Sequence, residues 1–573
     1  MTQSLYLGID LGTQSIKASV LSSVGDSGNL SVICNHSVDY DKALPQYKTK
    51  GGVQEKGDGV VTVPTNLWIE ALERLLDELK SVHKLDFSKV AAISGSGQQH
   101  GSVYWKKGTK DNCFSNLSGK TLGTAFKDQF VQDSPIWMDS STTKECQDLE
   151  HFVGGKAPLK RLTGSTAHER FTGPQIFKFY KHNDINQISS CERISLVSSL
   201  IATLFLGDYA PIDFADGSGM NLLDVNNLKW SQPCLSAITN TIEGAHQQDL
   251  VEKLGNDAVP STKVLGVVND YVCKQFGFSP QCKIVACSGD NPNSADFTLR
   301  QHGDLCISLG TSHTIFGYQS EMSQPVPLEG HYFLGTLYDP ENQNSPNNKD
   351  KYLSLLCFKN GGLVRAELCR QHCDGDWSSF EKSLEKSYGR PRRNQFNLPD
   401  AIAFYYQFPE IVPHTAQHHG YFRFKLDSHG HYLAVDQLDS DLDVLSLVES
   451  QFLALKSHAI GVGLLDESDD ERRRIIVTGG ASGNQTLMQI LADVFGCDVY
   501  IAPQNHNSAA IGAACRALYG ADKKTDTSDY FDVVSCKLPS LEIIAKAGDR
   551  SKLYGRNVVN KYRELEQIVL KQM

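Results

Sequence analysis

Leu5-Tyr-Leu-Gly-Ile-Asp-Leu-Gly-Thr-Gln-Ser-Ile-Lys-Ala-Ser-Val20 is the stretch on which the fold turns. Leu5 to Ile9 is a short apolar run that ends at Asp10, and Leu11-Gly12-Thr13-Gln14 reads as a turn. Beyond it Ile16, Ala18 and Val20 alternate with Ser15, Lys17 and Ser19, the period of two that marks a strand. The unit therefore predicts a β-hairpin closed by a glycine turn. A second copy lies near the middle of the chain, with Leu305–Leu309, the turn Gly310-Thr311-Ser312, and Thr314-Ile315-Phe316. Both turns carry Leu-Gly-Thr.

A second element recurs in the same order. Val90–Ile93 runs into Ser94-Gly95-Ser96-Gly97, and Arg474–Val477 runs into Thr478-Gly479-Gly480-Ala481-Ser482-Gly483. Each reads as an apolar strand feeding a glycine-rich loop. The repeat predicts a duplicated architecture, with a boundary near residue 300. Leu67–Ile69, Leu72, Leu75, Leu76 and Leu79 recur at helical spacing, as do Leu487, Ile490, Leu491, Val494 and Phe495, and Val558, Tyr562, Leu565 and Val569. Strands alternating with helices predict an α/β fold. Residues 341–350 and 522–529 read as polar surface loops, and 421–435 as a further hairpin.

The chain has 573 residues, beyond the roughly 250–300 at which one core stops growing, so two domains are expected. Its 55 Lys+Arg against 66 Asp+Glu give a net charge of −11, which argues against a nucleic-acid coat. An anionic small ligand stays open, because backbone N–H groups and a metal ion hold phosphate locally. The start, MTQSLYLGID, has neither a secretory nor a transit pattern, and no run approaches the roughly 18 apolar residues of a membrane span. Fifteen scattered cysteines without a CxxC pair read as reduced thiols of a cytoplasmic protein. Cys369–Cys373 reads as helix, and His414, His418 and His419 as a solvated loop, in preference to metal sites.

P-loop, HExxH and GxSxG motifs are absent, and Gly95–Gly101 has one residue too many for a dinucleotide fingerprint. What remains is two Gly-Thr hairpins and a few placed acids. Glycine lets backbone approach a phosphate, whose oxygens N–H and hydroxyl groups can hold. Asp10 with Thr13 supplies this chemistry in the first turn, with Asp10 suited to a metal-bound water, and Thr311 with Ser312 supplies it in the second. Each turn alone is equally an ordinary hairpin, and the duplication favours the nucleotide. The Gly479–Asn484 loop opens onto a helix and suits a ribose or flat ring, or simple capping by Ser482 or Asn484. Ser508–Ala514 is a small-residue helix start, suited to tight packing or to the floor of an adenine pocket. Asp290, in Ser288-Gly289-Asp290-Asn291-Pro292, stands at a strand end where a carboxylate can take a proton from a hydroxyl, or cap a helix.

These residues resemble a known family. Gly8–Ala18 (GIDLGTQSIKA), Ile307–Phe316 (ISLGTSHTIF) and Ile475–Asn484 (IIVTGGASGN) are similar to the phosphate-1, phosphate-2 and adenosine motifs of the sugar kinase, heat-shock ATPase and actin superfamily. SGSGQQHGSVYW from Ser94, SPIWMDSST from Ser134, DGSGMNLLD from Asp216 and SGDNPNS from Ser288 resemble the FGGY carbohydrate kinases, nearest to the eukaryotic-type xylulose kinase group. The motif order is followed from about residue 5 to 570. The resemblance implies two actin-like (ribonuclease H-like) α/β domains with a nucleotide cleft between them. It places a sugar-binding N-terminal domain over 1–300 and an ATP-binding C-terminal domain over 301–573. It implies phosphorylation of D-xylulose to D-xylulose 5-phosphate with ATP and Mg²⁺.

Residue by residue, it implies that Asp290 is the general base. His100, Gln99, Arg170 and Asn291 would join Asp290 in contacting the sugar. Gly12, Thr13 and Gln14, then Gly310, Thr311 and Ser312, would hold phosphates, and Asp10 would meet the metal through water. Gly479, Gly480, Gly483 and Asn484 would form the adenosine loop, with Trp377 near the nucleotide. Three positions depart from the family pattern: His168 for a Tyr, Gln175 for a Lys after Pro174, and His313 for an Asp after the second turn. Taken singly, His100 is also a loop histidine, Arg170 a surface ion pair and Trp377 a packing residue. A kinase for a related ketose or polyol, such as ribulose or glycerol, would use the same machinery. A sugar-responsive nucleotide-binding regulator that has lost transfer is the reading from a different class. No nucleic-acid or membrane partner is expected, and the chain is expected to act as a monomer or homodimer.

Overall fold

The computed structural model describes residues 4–24, 29–114, 117–342, 344–390, 395–415, 418–466, 473–503, 507–522 and 528–573. The chain divides into two compact units, each discontinuous in sequence. The first is Met1–Arg300 with Tyr332–Leu353 and Asn505–Pro539, and the second is Gln301–His331, Ser354–Gln504 and Ser540–Met573. A single cut near residue 300 thus omits two segments that belong with the first unit.

In the first unit the hairpin forms as its alternation predicts. Strand Leu5–Leu11 pairs antiparallel with Ser15–Val24, Ile9 opposite Ala18, and Gly12 N–H closes the turn on the Ser15 carbonyl at 3.2 Å. On its other side Leu5–Leu11 runs parallel to Val90–Gly97. The sheet order is Val264–Val267, Lys283–Val285, Val90–Gly97, Leu5–Leu11, Ser15–Val24, Asn29–Asp39, and Ser288–Gly289 also pairs with Val90–Gly97. Every residue of Leu5–Leu11 is buried, because the strand is covered on both faces.

Helix Ser508–Asp522 supplies part of that cover, and its small residues explain how. A Cβ on Gly8 would lie 1.8 Å from the Ala510 carbonyl oxygen, and one on Gly512 would lie 1.7 Å from that of Asn293. Tight packing is therefore what the small-residue helix start does. Helix Thr65–Ser81 buries Trp68, Leu72, Leu75 and Leu79 in the same core, on the stripe its sequence predicts.

Two expectations are corrected here. Ser94–Gly97 is strand, not loop, and the chain leaves the sheet only at Gln98. The glycines serve packing: a Cβ on Gly95 would meet Ile201 at 2.8 Å, and one on Gly97 would meet Ser198 N at 2.4 Å, both on helix Val197–Leu206. Within the polar segment 341–350, Asn347 and Asp350 are buried. Asn347 Nδ2 donates to the Tyr519 hydroxyl at 2.8 Å and its Oδ1 accepts from Tyr530 N–H at 3.1 Å, so this loop is tied into the first unit. Gln343 and residues 523–527 of the other polar segment lie outside the described residues.

The second unit repeats the scheme. Leu305–Leu309 pairs antiparallel with His313–Gln319 and parallel with Ile475–Thr478. The sheet continues through Val499–Ile501 to an antiparallel Glu542–Ala545. Helices Gln485–Phe495 and Arg556–Gln572 fall where the periodicity places them, and Gly420–Leu426 forms the expected hairpin with Tyr432–Val435. Cys369 and Cys373 lie in helix Gly362–Cys373, and His414, His418 and His419 are exposed. Among the described residues no helix is long and apolar enough to cross a membrane.

Candidate active site

In the first unit the strand ends of Leu5–Leu11 and Val90–Gly97 place Asp10 beside Ser96. Asp10 is 5% exposed, accepts from Ser96 Oγ at 2.9 Å and pairs with Lys17 Nζ at 3.3 Å. Burial pushes its carboxyl above the usual range, against the pull of Lys17 and Ser96. The turn after it is braced by side chains from far along the chain. Tyr40 OH donates to the Gly12 carbonyl at 3.1 Å, and Gln98 Nε2 donates to the same oxygen at 3.3 Å. Trp137 Nε1 donates to Thr13 Oγ1 at 2.9 Å, and Gln14 is exposed.

Asp290 is the first residue of helix Asp290–Thr298, following the short strand Ser288–Gly289. Gly289, not Asp290, holds the cap position, which leaves the carboxylate for other work. Its Oδ1 accepts from Asn291 N–H at 2.9 Å. Burial first, and then the Asp10 charge, raise its carboxyl to about 7, despite backbone N–H groups that pull the other way. Asn291 Nδ2 donates to Gln99 Oε1 at 2.9 Å, so Gln99, Asn291 and Asp290 form one connected group.

His100 sits in the loop after the strand with φ of 73°, a left-handed conformation that is uncommon outside glycine. Its Nδ1 lies 3.0 Å from the Gly219 carbonyl oxygen. A carbonyl only accepts, so Nδ1 carries the proton and Nε2 presents a lone pair. Burial, then the nearby Arg170 charge, hold the ring well below the ordinary histidine range, and it is neutral. His100 stacks on Phe171 with centroids 4.2 Å apart, and the Arg170 guanidinium lies 5.7 Å from the same ring. Phe171 thereby gathers His100 and Arg170. A neutral acceptor beside a guanidinium is a polar cradle suited to hydroxyl groups.

The second unit supplies the other set. Gly310 N–H closes its turn on the Ser312 carbonyl at 3.2 Å, and Gly362 N–H donates to the Gly310 carbonyl at 3.1 Å. Gly479 has φ of 91°, and a Cβ there would lie 2.8 Å from the Leu309 backbone. Glycine at 479 therefore lets the two motif loops touch. Gly480 and Gly483 face open space. Asn484 Oδ1 caps helix Gln485–Phe495 by accepting from Leu487 N–H at 2.9 Å, so that oxygen is already engaged. Trp377 is 53% exposed, with its ring edge-on to Phe380 of its own helix. His313 is buried against Arg365.

Several residues of this site carry no role in the sequence reading. Gln98 and Trp137 hold the first turn. Asp216, 2% exposed, accepts from Ser198 Oγ at 2.6 Å and is pushed far up by burial and by Asp213. Gly219 fixes the tautomer of His100 through its carbonyl. Their motifs are recognisable, but a contact across 119 residues leaves no local signal.

The hairpin and parallel strand are repeated in both units, and by its family matches and relatives the chain is a carbohydrate kinase that belongs to the FGGY family of carbohydrate kinases. The N-terminal domain of that family matches residues 117–295 and its C-terminal domain matches residues 305–521. The chain is 40% identical over 567 residues to a xylulose kinase of Rattus norvegicus, covering 98% of this chain and 97% of that protein. It is 40% identical over 589 residues to xylulose kinase 2 of Arabidopsis thaliana, covering 100% and 98%. The solved xylulose kinase from Rhodospirillum rubrum has the same fold, with a TM-score of 0.72 at 14% identity over 99% of this chain and 98% of that one.

Proposed function

We propose that the protein transfers the γ-phosphoryl group of ATP to D-xylulose, giving D-xylulose 5-phosphate and ADP. The observation that carries this reading is the Asp290 carboxyl held at about 7, joined through Asn291 to Gln99 in the loop that carries His100. A base poised near working pH accepts the hydroxyl proton as the oxygen attacks phosphorus and ADP leaves. His100 Nε2 accepts from a sugar hydroxyl, and Arg170 and Asn291 donate to others. Thr13 and Gln14 in one turn and Thr311 and Ser312 in the other supply N–H and hydroxyl donors to phosphate oxygens, while Gly12 and Gly310, whose N–H groups close the turns, let the phosphate approach the backbone. Gly479, Gly480 and Gly483 leave room for the nucleoside, and Trp377 offers a flat face for its ring.

Among the described residues no three acidic, His or Cys side chains converge on a metal position. Asp10 would hold Mg²⁺ through water, since that ion keeps several waters and takes one or two carboxylates plus phosphate oxygens. When bound, the ion neutralises charge on the phosphates. We place the enzyme in the cytoplasm, as a monomer or homodimer with no nucleic-acid or membrane partner.

ADP release across a panel of ketoses and polyols tests the reading. D-Xylulose as the preferred acceptor supports it. Preference for ribulose or glycerol would replace the substrate, and no sugar-dependent ADP would leave the regulator. Asp290→Ala is expected to lower turnover by roughly 10²–10⁴-fold, with near-normal turnover in folded protein removing the base assignment.

A further inference from the structure

Arg365 is a buried cation with no carboxylate against it among the described residues. It lies in the first turn of helix Gly362–Cys373 and is 3% exposed. Its Nη1 donates to His313 Nε2 at 2.7 Å and to Gln451 Oε1 at 2.9 Å. Gln451 is in turn fixed by donating to the Asn360 and Gly361 carbonyls at 2.9 and 3.0 Å. A guanidinium has only donors, so the His313 nitrogen is an acceptor and the ring is neutral. Burial, then the Arg365 charge, hold that ring well below the ordinary histidine range. Burial alone pushes Arg365 down to about 10, whereas a neighbouring carboxylate would act in the opposite sense.

An uncompensated buried charge is costly, and it asks for an anion. The place where one would sit is close. His313 directly follows the turn Gly310–Ser312, and Gly362 N–H binds the Gly310 carbonyl. A Cβ on Gly362 would lie 2.6 Å from that oxygen and 3.6 Å from Arg365 Nη2, so guanidinium and turn are neighbours. A Cβ on Gly361 would meet the Thr311 carbonyl at 2.8 Å and His313 Cδ2 at 2.7 Å, so both glycines pack directly on the turn.

We infer that Arg365, left uncompensated because residue 313 is a neutral histidine, supplies the fixed positive charge behind the Gly310–Ser312 turn that holds the nucleotide's phosphates. This rests on the nucleotide reading above and assigns to that site a charge that touches no substrate. Arg365 is a positioning residue, acting through the field at the turn. His313 is what leaves its charge unspent, since an aspartate there would form an ion pair with it.

His313→Asp and His313→Asn are near-isosteric and differ by one charge, so calorimetric titration of each full-length variant with ADP reads the charge alone. His313→Asp is expected to bind ADP about ten-fold or more weakly than His313→Asn, with the gap narrowing at high salt. Arg365→Gln is expected to weaken ADP similarly while the KM for the sugar stays put. Thermal melting accompanies each variant, and Arg365→Gln decides if His313→Asp does not fold. Equal ADP affinity in folded His313→Asp and His313→Asn, or full affinity in Arg365→Gln, overturns the inference. Wild-type protein that binds no ADP would instead remove the nucleotide reading on which it stands.

Discussion

Asp10 acts on Asp290: burial and then the Asp10 charge bring the Asp290 carboxyl up to about 7. As the base, Asp290 works ionised, so kcat/KM is expected to fall as pH drops below about 7. Asp10→Asn removes the repulsion and is expected to move that acidic limb to lower pH while weakening metal-dependent activity. Rate profiles between pH 5.5 and 9 read this, and a limb that stays in place contradicts the coupling.

The same carboxyl has a stability consequence. An unfolded aspartate titrates at about 4, so between there and about 7 the native state holds the extra proton. Stability is then full at low pH and falls as pH rises toward 7. Asp290→Asn lacks this loss. It is expected to melt above wild type at pH 8 and level with it near pH 4, and identical curves at both would contradict the raised carboxyl.

His100 combines a left-handed backbone with a fixed tautomer. His100→Asn tolerates the backbone but loses the ring nitrogen, and the ketose KM is expected to rise about three- to ten-fold with the fold intact. His100→Val adds about 1–3 kcal/mol of backbone strain and is expected to melt lower. Steady-state kinetics with parallel melting separates binding from folding.

Gly512→Ala tests the joint between helix Ser508–Asp522 and helix Asp290–Thr298. The added methyl would overlap the Asn293 carbonyl, and a loss of about 3 kcal/mol or more is expected on denaturant unfolding. Because Asn293 belongs to the Asp290 helix, turnover is expected to drop with it. Wild-type stability in this variant would refute the packing role.

His458, half-buried with 10% of its side chain exposed, lies between Glu329 at 2.7 Å and Glu566 at 3.1 Å. Burial opposes its charge, but Glu566 and Glu329 outweigh it and raise the ring to about 10. Its unfolded value is near 6.5, so its stabilisation is complete below about 6.5 and disappears as pH rises through about 10. His458→Gln is expected to cost about 3–5 kcal/mol at neutral pH by stranding two carboxylates, with the deficit shrinking toward pH 10. A pH-independent deficit would mean the ring is not charged.

Much of the candidate site was legible in the sequence. Asp10, Gly12 and Thr13 lie on one hairpin, and Gly310, Thr311 and Ser312 on another, so period-two alternation and a glycine turn suffice to mark both. Asp290 was placed at a strand end by the apolar run before it. Ser94–Gly97 misled, because glycine in sequence signals a loop, whereas here it makes room for helix Val197–Leu206. Asn347 misled for the mirror reason: a polar residue in a polar run is buried when the Tyr519 hydroxyl and the Tyr530 N–H, both far along the chain, pair with it. Gln98, Trp137 and the Gly219 carbonyl had no readable role, since each acts on a partner far off in sequence.

The sequence by itself determined the repeated hairpin-and-strand plan and the carbohydrate-kinase motifs, because strand alternation and turn chemistry are set by near neighbours. The tertiary structure alone decided which segments complete the first unit, which tautomer His100 holds, how far Asp290 is lifted, and that Arg365 has no carboxylate against it among the described residues. Those depend on burial and on contacts across tens to hundreds of residues, and the dielectric around a group exists only once the chain has folded over it.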